Sequence, residues 1–223
     1  MTKRLYLSHL LDSQTPTYGN RNQFVCERRS AIAKGDVAND SHIETTVHIG
    51  THIDMPYHFF EEGQTIEDFD SDFFAFNRVH FLSFTPQERV IHQELIDQLE
   101  PIEEKASIEL LIIKTGICHQ RTTPYFWEEN YGFAPEVAHY LRTHFPKVRV
   151  IGFDSISVSS FAHRMVGREA HRAFLDPSHP ILLIEDMDLC LLQASSQIKH
   201  LTVAPLRIAQ CDGLPCTIIA EIA

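Results

Sequence analysis

The sequence predicts a single-domain α/β protein with a mixed, curved β-sheet and flanking helices. The chain of 223 residues is long enough for one α/β domain with a sizeable core. Its content of 43% hydrophobic and 22% charged residues is ordinary for a globular domain. Strand-like segments outnumber helical ones and alternate with them only partly, which favours a mixed sheet. No repeat or linker-like run divides the chain, so residues 1–223 are treated as one domain.

The first half of the chain predicts few long elements. Residues 1–40 are polar and irregular, whereas residues 44–60 alternate with a period of two. The aromatic-rich residues 69–76 are expected in the core or at an oligomer interface. Residues 77–84 are typical of a strand. Thr85 as N-cap, followed by a proline and then a glutamate three residues after the cap, predicts a helix that reaches about Leu99.

The second half predicts buried strands separated by one clear helix. Residues 134–145 have helical spacing and end before Pro146. Continuous apolar runs predict buried strands at residues 108–114, 148–153 and 181–185, with a last strand at residues 216–222.

Charge and cysteine content exclude several classes of protein. The formal net charge of −11 argues against nucleic acid or an anionic membrane as a partner, because both need a basic surface. No run of about 18 apolar residues predicts a membrane-spanning helix, and the N-terminus has no apolar leader-like segment. The five cysteines are scattered without a C-x-x-C pair, which favours reduced thiols over a disulfide framework or a cysteine zinc site. We therefore expect a cytoplasmic protein.

Fourteen histidines are many for this chain, and the segment between residues 48 and 58 concentrates metal-ligand types. His48, His52, Asp54 and His58 have one parity, so an extended chain would place them on one face, opposite an apolar face. A straight strand would separate His48 from Asp54 by about 20 Å, too far for one metal centre. Convergence therefore requires a bend, for which Gly50, with space for an ion beside it, and Pro56 are the candidates.

A mixed histidine and carboxylate set without cysteine suits Zn²⁺ or Mn²⁺. The alternative reading of the segment is a polar strand face with solvated histidines. Four ligand-type residues in eleven, opposite an unbroken apolar face, make that alternative the weaker one.

The segment resembles the signature of the metal-dependent cyclase/hydrolase family that includes kynurenine formamidase, an arylformamidase, and isatin hydrolase. Further segments resemble the family's motifs and occur in the same order along the chain. They are Gly63-Gln64-Thr65-Ile66, Ile113-Lys114-Thr115-Gly116, Ile151 to Ser157 with Asp154-x-x-Ser157, Ala170-His171-Arg172 followed by residues 181–185, and residues 206–219 with Gly213-x-Pro215.

The resemblance implies a swivelling β/β/α-like fold with a barrel-like core, and one or two divalent metals per chain. It implies His48, His52 and Asp54 as ligands of one metal. His171 and Glu185 would bind a second metal, which Asp54 and Glu185 bridge to the first, and His58 would be the general acid and base. Relatives of this kind are oligomeric, which implies a homodimer or homotetramer.

The implied activity is hydrolysis of a linear or cyclic amide in a small aromatic substrate, as in an arylformamidase. Two departures from the family pattern bear on this expectation. Residues 176–180 form an insertion between His171 and Glu185, and Tyr18 stands where kynurenine formamidases have a tryptophan in the substrate loop. Cyclisation or dehydration, lactone hydrolysis, and a metal-binding protein without activity remain as alternatives.

Overall fold

The computed structural model describes residues 2–223, and its main element is a nine-stranded mixed sheet that curves into a nearly closed barrel. The strands of these described residues are β1 Lys3–Tyr6, β2 Val25–Ser30, β3 Asp40–Glu44, β4 His52–Asp54, β5 Ala75–Phe76, β6 Val79–Ser83, β7 Val90–Ile91, β8 Leu110–Lys114, β9 Gly132–Phe133, β10 Val150–Phe153, β11 Leu182–Glu185, β12 Ile198–Pro205 and β13 Gly213–Ile222. The helices are α1 Gln93–Leu99, α2 Tyr125–Glu128, α3 Pro135–His144 and α4 Arg164–Phe174.

The sheet has a parallel half and an antiparallel half that meet at β4. Its order is β5-β12-β13-β4-β11-β10-β8-β6, with β1 paired to β13. Strands β6, β8, β10 and β11 are parallel, whereas β4, β5, β12, β13 and β1 pair antiparallel with their neighbours. Because β12 also lies against β6, the two ends of the sheet approach each other. The predicted α/β class with a mixed, curved sheet is confirmed.

The apolar runs at residues 108–114, 148–153 and 181–185 form buried strands, as predicted, and these strands pair in parallel. Every residue of β8, β10 and β11 is buried, because parallel strands in this class are covered on both faces. Helix α3 begins at Pro135, whose fixed φ suits the first helical position, and it buries Val137, Ala138 and Leu141. Helix α4 packs beside α3 and carries His171 on its buried face.

The predicted helix from Thr85 to Leu99 is wrong in its first half. Only residues 93–99 are helical, and Val90 and Ile91 form a short strand that pairs in parallel with Gly132–Phe133. Burial of Ile91 in the core outweighs the local capping pattern. Glu94, rather than Glu88, accepts the backbone hydrogen bond in this region, from the amide of Gln87 at 3.0 Å.

The N-terminal forty residues are more regular than predicted. Strand β1 adds to the edge of β13, and β2 pairs with β3 in a hairpin that is mostly exposed on both faces. The aromatic residues 69–76 were expected either in the core or at an oligomer interface. Phe74 and Phe76 are buried in the core. Within residues 2–223 there is no helix that is long and apolar enough to cross a membrane.

Candidate metal centre

The predicted bend in residues 44–60 is present, and it leaves only His52–Asp54 as a strand. Gly50 adopts a left-handed conformation with φ of 57°, and Pro56 opens a short 3₁₀ turn that ends at His58. The expectation that Gly50 leaves space for an ion is wrong, because a Cβ there would lie 2.3 Å from the side chain of Leu11. The missing side chain makes room for the N-terminal segment instead.

Strand β4 lies between β11 and β13, and this register assembles the centre. His52 is opposite Glu185 of β11, and Asp54 is opposite Gly213 of β13. Because directly opposite residues and residues two apart share a face of the sheet, His52, Asp54 and Glu185 point to the same side. Nε2 of His52 lies 3.4 Å from the nearest oxygen of each carboxylate.

His48 approaches the same carboxylate from the bend before β4. Its Nδ1 lies 3.0 Å from Oδ1 of Asp54, and its Nε2 lies 2.8 Å from Oδ2 of Asp212. A Cβ at position 213 would lie 2.5 Å from the His48 ring, so glycine at the start of β13 is what allows this approach.

Helix α4 brings His171 to the other side of the carboxylates. Nε2 of His171 lies 3.6 Å from Oδ2 of Asp54 and 3.8 Å from Oε1 of Glu185. The insertion at residues 176–180 forms a surface turn, in which Ser178 donates two hydrogen bonds to Asp176. This turn does not separate His171 from Glu185, and His179 within it is exposed and away from the site.

Contacts around the centre orient its side chains. Nδ1 of His52 donates to the carbonyl of Gly50, and Nδ1 of His171 donates to the carbonyl of Gly167, both at 2.8 Å. Each contact fixes the tautomer and turns Nε2 inward, as is usual for metal-binding histidines. Oε1 of Glu185 accepts hydrogen bonds from the Ser157 hydroxyl at 3.2 Å and the Val158 amide at 2.6 Å.

The residues present fit a divalent cation. Nε2 of His52 and Oδ2 of Asp54 are buried and have no hydrogen-bond partner, although buried polar atoms are normally paired. The donor atoms of His48, His52 and Asp54 lie within 4.8 Å of one another, as do those of Asp54, His58 and His171. Imidazole nitrogens and carboxylate oxygens suit a divalent metal.

The charges of these histidines and carboxylates also favour a bound divalent cation. Burial disfavours a protonated His48, but the Asp54 and Asp212 carboxylates together outweigh it and raise the pKa of His48 to about 9. Burial is likewise outweighed at His52, whose pKa is raised well above its usual value by Asp54 and Glu185. The buried carboxylates thus require nearby positive charge, which a divalent cation supplies when it displaces those protons.

His58 lies beside this group and is oriented by Asp212, a residue that the sequence analysis missed. Its Nδ1 lies 3.1 Å from Oδ2 of Asp212, and its ring centre is 4.1 Å from that of His48. The two imidazoles hold the pKa of Asp212 far below its usual range, so it is an anion. One feature of the sequence pointed to Asp212: it directly precedes Gly213, the first residue of the Gly213-x-Pro215 motif. The resemblance to the family assigned no role to the residue before that motif.

The centre opens into a cavity of about 350 Å³, within the usual range for small-molecule sites. Tyr18 lines this cavity, as predicted for a substrate contact, and its ring meets the Phe161 ring edge-on at 5.6 Å. Phe59 lines it as well and stacks on His171 at 4.5 Å. The seven residues that the sequence singled out, His48, His52, Asp54, His58, His171, Glu185 and Tyr18, all line this one cavity.

A second group of possible ligands lies elsewhere. The ligand atoms of Cys118, His119 and Cys190 are within 4.8 Å of one another, a convergence that the spacing of the cysteines did not predict. Burial raises the pKa of the Cys118 thiol, which opposes formation of the thiolate that a metal requires. The histidine and carboxylate group is the better candidate for a metal centre.

Comparisons with known proteins agree with this geometry. A family model described as putative cyclase matches residues 5–160. Kynurenine formamidase of Geobacillus thermodenitrificans is 30% identical over 94% of this chain and 92% of its own length. Isatin hydrolase A from Labrenzia aggregata, solved with benzyl benzoate, superposes with a TM-score of 0.80 at 20% identity, covering 99% of this chain and 93% of that one. A potential metal-dependent hydrolase with cyclase activity gives 0.76 at 22% identity, with coverage of 99% and 98%.

Proposed function

Because this chain belongs to the putative cyclase family, we propose that it is a metal-dependent hydrolase of non-peptide C–N amide bonds in small aromatic substrates. The relative that acts as a kynurenine formamidase makes removal of a formyl group from an arylamine the specific reaction proposed. One observation carries this proposal. An imidazole held by a carboxylate, His58 with Asp212, lies directly beside a buried group of metal-ligand atoms.

We place one cation among His48, His52 and Asp54, and a second among Asp54, His171 and Glu185. Zn²⁺ suits this donor set best, with Mn²⁺ as the second choice. When bound, a divalent cation there lowers the pKa of a water molecule and polarises the substrate carbonyl. Asp54, whose two oxygens face His48 and His171 respectively, is the residue able to serve both positions.

His58 performs the proton transfers of the proposed reaction. Its Nδ1–H donates to Asp212, which leaves Nε2 free to accept a proton from the attacking water. The water oxygen forms a bond to the amide carbon, the C–N bond then breaks, and the proton passes from Nε2 to the departing nitrogen. The products are an amine and a carboxylic acid, formic acid for a formamide, which releases its proton to solvent and leaves as the carboxylate. Asp212 stabilises the imidazolium that forms between these steps.

The cavity walls suit an aromatic substrate. Tyr18 and Phe59 present ring surfaces on which an aryl group can pack. A volume of about 350 Å³ accommodates a molecule built on one or two rings. Cleavage of a ring amide or a lactone uses the same water and the same proton transfers, so these remain second candidates, favoured by the structural similarity to an isatin hydrolase.

Substitution of His58 tests the proposal. We expect His58→Ala, loaded with Zn²⁺, to hydrolyse formanilide at least about 100-fold more slowly than the wild type, because general acid and base catalysis is lost. The matched control is His139→Ala, which removes an exposed histidine of α3 and should leave the rate unchanged. Metal content, measured on all three proteins, should be equal. A His58→Ala variant as fast as the wild type would contradict the assigned role, and wild-type protein that binds metal but cleaves no formamide, isatin or lactone would favour a non-catalytic protein.

We also propose a homodimer or homotetramer in the cytoplasm. The hairpin of β2 and β3 exposes Ile32, Val37 and Ile43, and exposed apolar side chains grouped on one projecting element are typical of an interface. The five cysteines are unpaired thiols, which is the usual state in a reducing compartment.

A further inference from the structure

Two buried polar residues adjoin metal-ligand candidates in the sequence but lie outside the cavity lining. Thr51 directly precedes His52, and Asp186 directly follows Glu185. Their exposed fractions are only 2% and 1%. Burial of a polar group is costly unless the group is paired, so each of these side chains needs specific partners. Those partners therefore bear directly on where His52 and Glu185 lie.

A side-chain hydrogen bond joins the two residues at the point where β11 leaves β4. The antiparallel pairing of these strands ends at the pair of Glu185 and His52. At the next position the Thr51 hydroxyl donates to the carbonyl of Asp186 at 2.5 Å, and it accepts from the backbone amide of His9 at 3.0 Å. The hydroxyl thus connects the two strand ends one residue beyond the ligands.

The backbone of Asp186 has a conformation that needs support. Its φ is 52°, in the left-handed region that residues with a side chain seldom adopt. Such a conformation persists where the surrounding structure holds it. The Thr51 hydroxyl binds the carbonyl of Asp186, and the amide of Asp186 donates to the carbonyl of Ser155 at 2.8 Å. These contacts fix the turn of the chain immediately after Glu185.

Arg121 holds the side chain of Asp186 independently of these backbone contacts. Its Nε donates to Oδ1 at 2.8 Å, and its Nη2 donates to Oδ2 at 2.7 Å. Both side chains are largely buried. Paired hydrogen bonds between a guanidinium and a carboxylate are stronger and more directional than a single one. Asp186 is therefore fixed at both its backbone and its side chain.

We propose that Thr51 is a positioning residue of the metal centre, whose hydroxyl holds Asp186, and with it Glu185, at a fixed distance from His52. Arg121 supports the same arrangement through the Asp186 side chain. This inference rests on the metal centre of the proposed function and is independent of the substrate. Nε2 of His52 lies 3.4 Å from Oε2 of Glu185. Because ligand positions must be held closely for a metal to bind, a small separation of the two strand ends weakens binding.

Two substitutions at position 51 separate the hydroxyl from the volume of the side chain. Thr51→Val keeps the size but takes a hydrogen bond from Asp186 and from His9, whereas Thr51→Ser keeps the hydroxyl and loses a methyl group. Competition with a chromogenic chelator gives the Zn²⁺ affinity of each full-length protein. We expect Thr51→Val to hold at least one bound Zn²⁺ about tenfold or more weakly than the wild type. Thr51→Ser should stay within about threefold of the wild type.

A second pair of variants tests the contribution of Arg121. Arg121→Lys keeps the charge but loses the paired donors, and should weaken Zn²⁺ binding by about fivefold or more. Arg149→Lys is the matched control, because Arg149 pairs with Glu109 and neither residue lines the cavity. It should keep the wild-type affinity. This comparison also decides the outcome if Thr51→Val does not fold.

Thermal unfolding of the metal-free proteins separates positioning from stability. A hydroxyl with only a structural role would lower the unfolding temperature of Thr51→Val and leave the Zn²⁺ affinity of the folded protein unchanged. That result, or a Thr51→Ser variant that loses as much affinity as Thr51→Val, would overturn the positioning role and leave the metal centre intact. Equal losses in Arg121→Lys and Arg149→Lys would overturn the part assigned to Arg121. Wild-type protein that binds no Zn²⁺ would overturn the metal centre and this inference together.

Discussion

At the scale of single residues, the orientation of each imidazole depends on the group that its second nitrogen binds. Backbone carbonyls hold His52 and His171, so their inward nitrogens face the buried carboxylates. A carboxylate, that of Asp212, holds Nδ1 of His58 instead. This difference in partners is the basis for proposing His52 and His171 as metal ligands and His58 as the group that transfers protons.

Substitution of Asp212 tests this division of roles. We expect Asp212→Asn to lower kcat for formanilide by about 10- to 100-fold, because the neutral amide no longer stabilises a protonated His58. Asp97→Asn on the exposed side of α1 is the control and should match the wild type. An unchanged rate in Asp212→Asn would contradict the role proposed for Asp212.

The residues of the centre could be predicted to different degrees. Elementary geometry predicted that the ligand-type residues between 48 and 58 share one face and that the chain must bend for them to converge. The structure has that bend at Gly50 and Pro56. His171 and Glu185 came from the resemblance, since they are distant from the first segment along the chain. Asp212 was missed because only the folded chain brings it beside His58.

At the scale of secondary structure elements, the short β4 depends on its two neighbours. Three residues could not form a stable strand alone, and hydrogen bonding to both β11 and β13 fixes their register. Apolar runs predicted β8, β10 and β11 well, because full burial leaves a continuous pattern. The capping pattern at Thr85 to Glu88 predicted a helix wrongly because it reports only local preferences. The pairing of Val90 and Ile91 with residues 132–133 involves a distant part of the chain, which a local pattern does not contain.

Gly213 at the start of β13 offers a test at this scale. In Gly213→Ala the new Cβ would lie 2.5 Å from the His48 ring, so His48 must move away from Asp54. We expect Zn²⁺ affinity, measured by calorimetry, to fall by about tenfold or more. Gly35→Ala is the control. Its φ of 95° makes alanine unfavourable there by about 1 kcal/mol, but no atom lies within 4 Å and the metal centre is remote. Equal affinity in Gly213→Ala and the wild type would mean that His48 is not a ligand.

At the scale of the whole molecule, the candidate metal centre lies where the parallel and antiparallel halves of the curved sheet meet. One hairpin, β2 with β3, stands apart from this sheet and packs little of its surface on the core. An isolated two-stranded hairpin is marginally stable in water, so its exposed apolar residues favour a contact with a second copy of the chain.

Substitution on this hairpin tests the proposed assembly. Val37 is fully exposed, and Val37→Asp would place a charge in any interface formed there. Light scattering after size exclusion should give a dimer or tetramer for the wild type and a smaller species for Val37→Asp. Leu191→Asp, at another exposed apolar residue, should keep the wild-type mass. A wild-type monomer at micromolar concentration would contradict the proposed oligomer.

The metal content of the folded protein is the most direct test of the proposed divalent metal centre. Elemental analysis of protein purified without chelators, and again after reconstitution with Zn²⁺ or Mn²⁺, gives metal identity and atoms per chain. We expect about two divalent ions per chain if Asp54 serves both positions, or about one if only the His48, His52 and Asp54 position binds. The double variant His52→Ala with Asp54→Ala should bind neither. Protein that holds less than about 0.1 ion per chain even after reconstitution would contradict the metal centre and the hydrolase built on it.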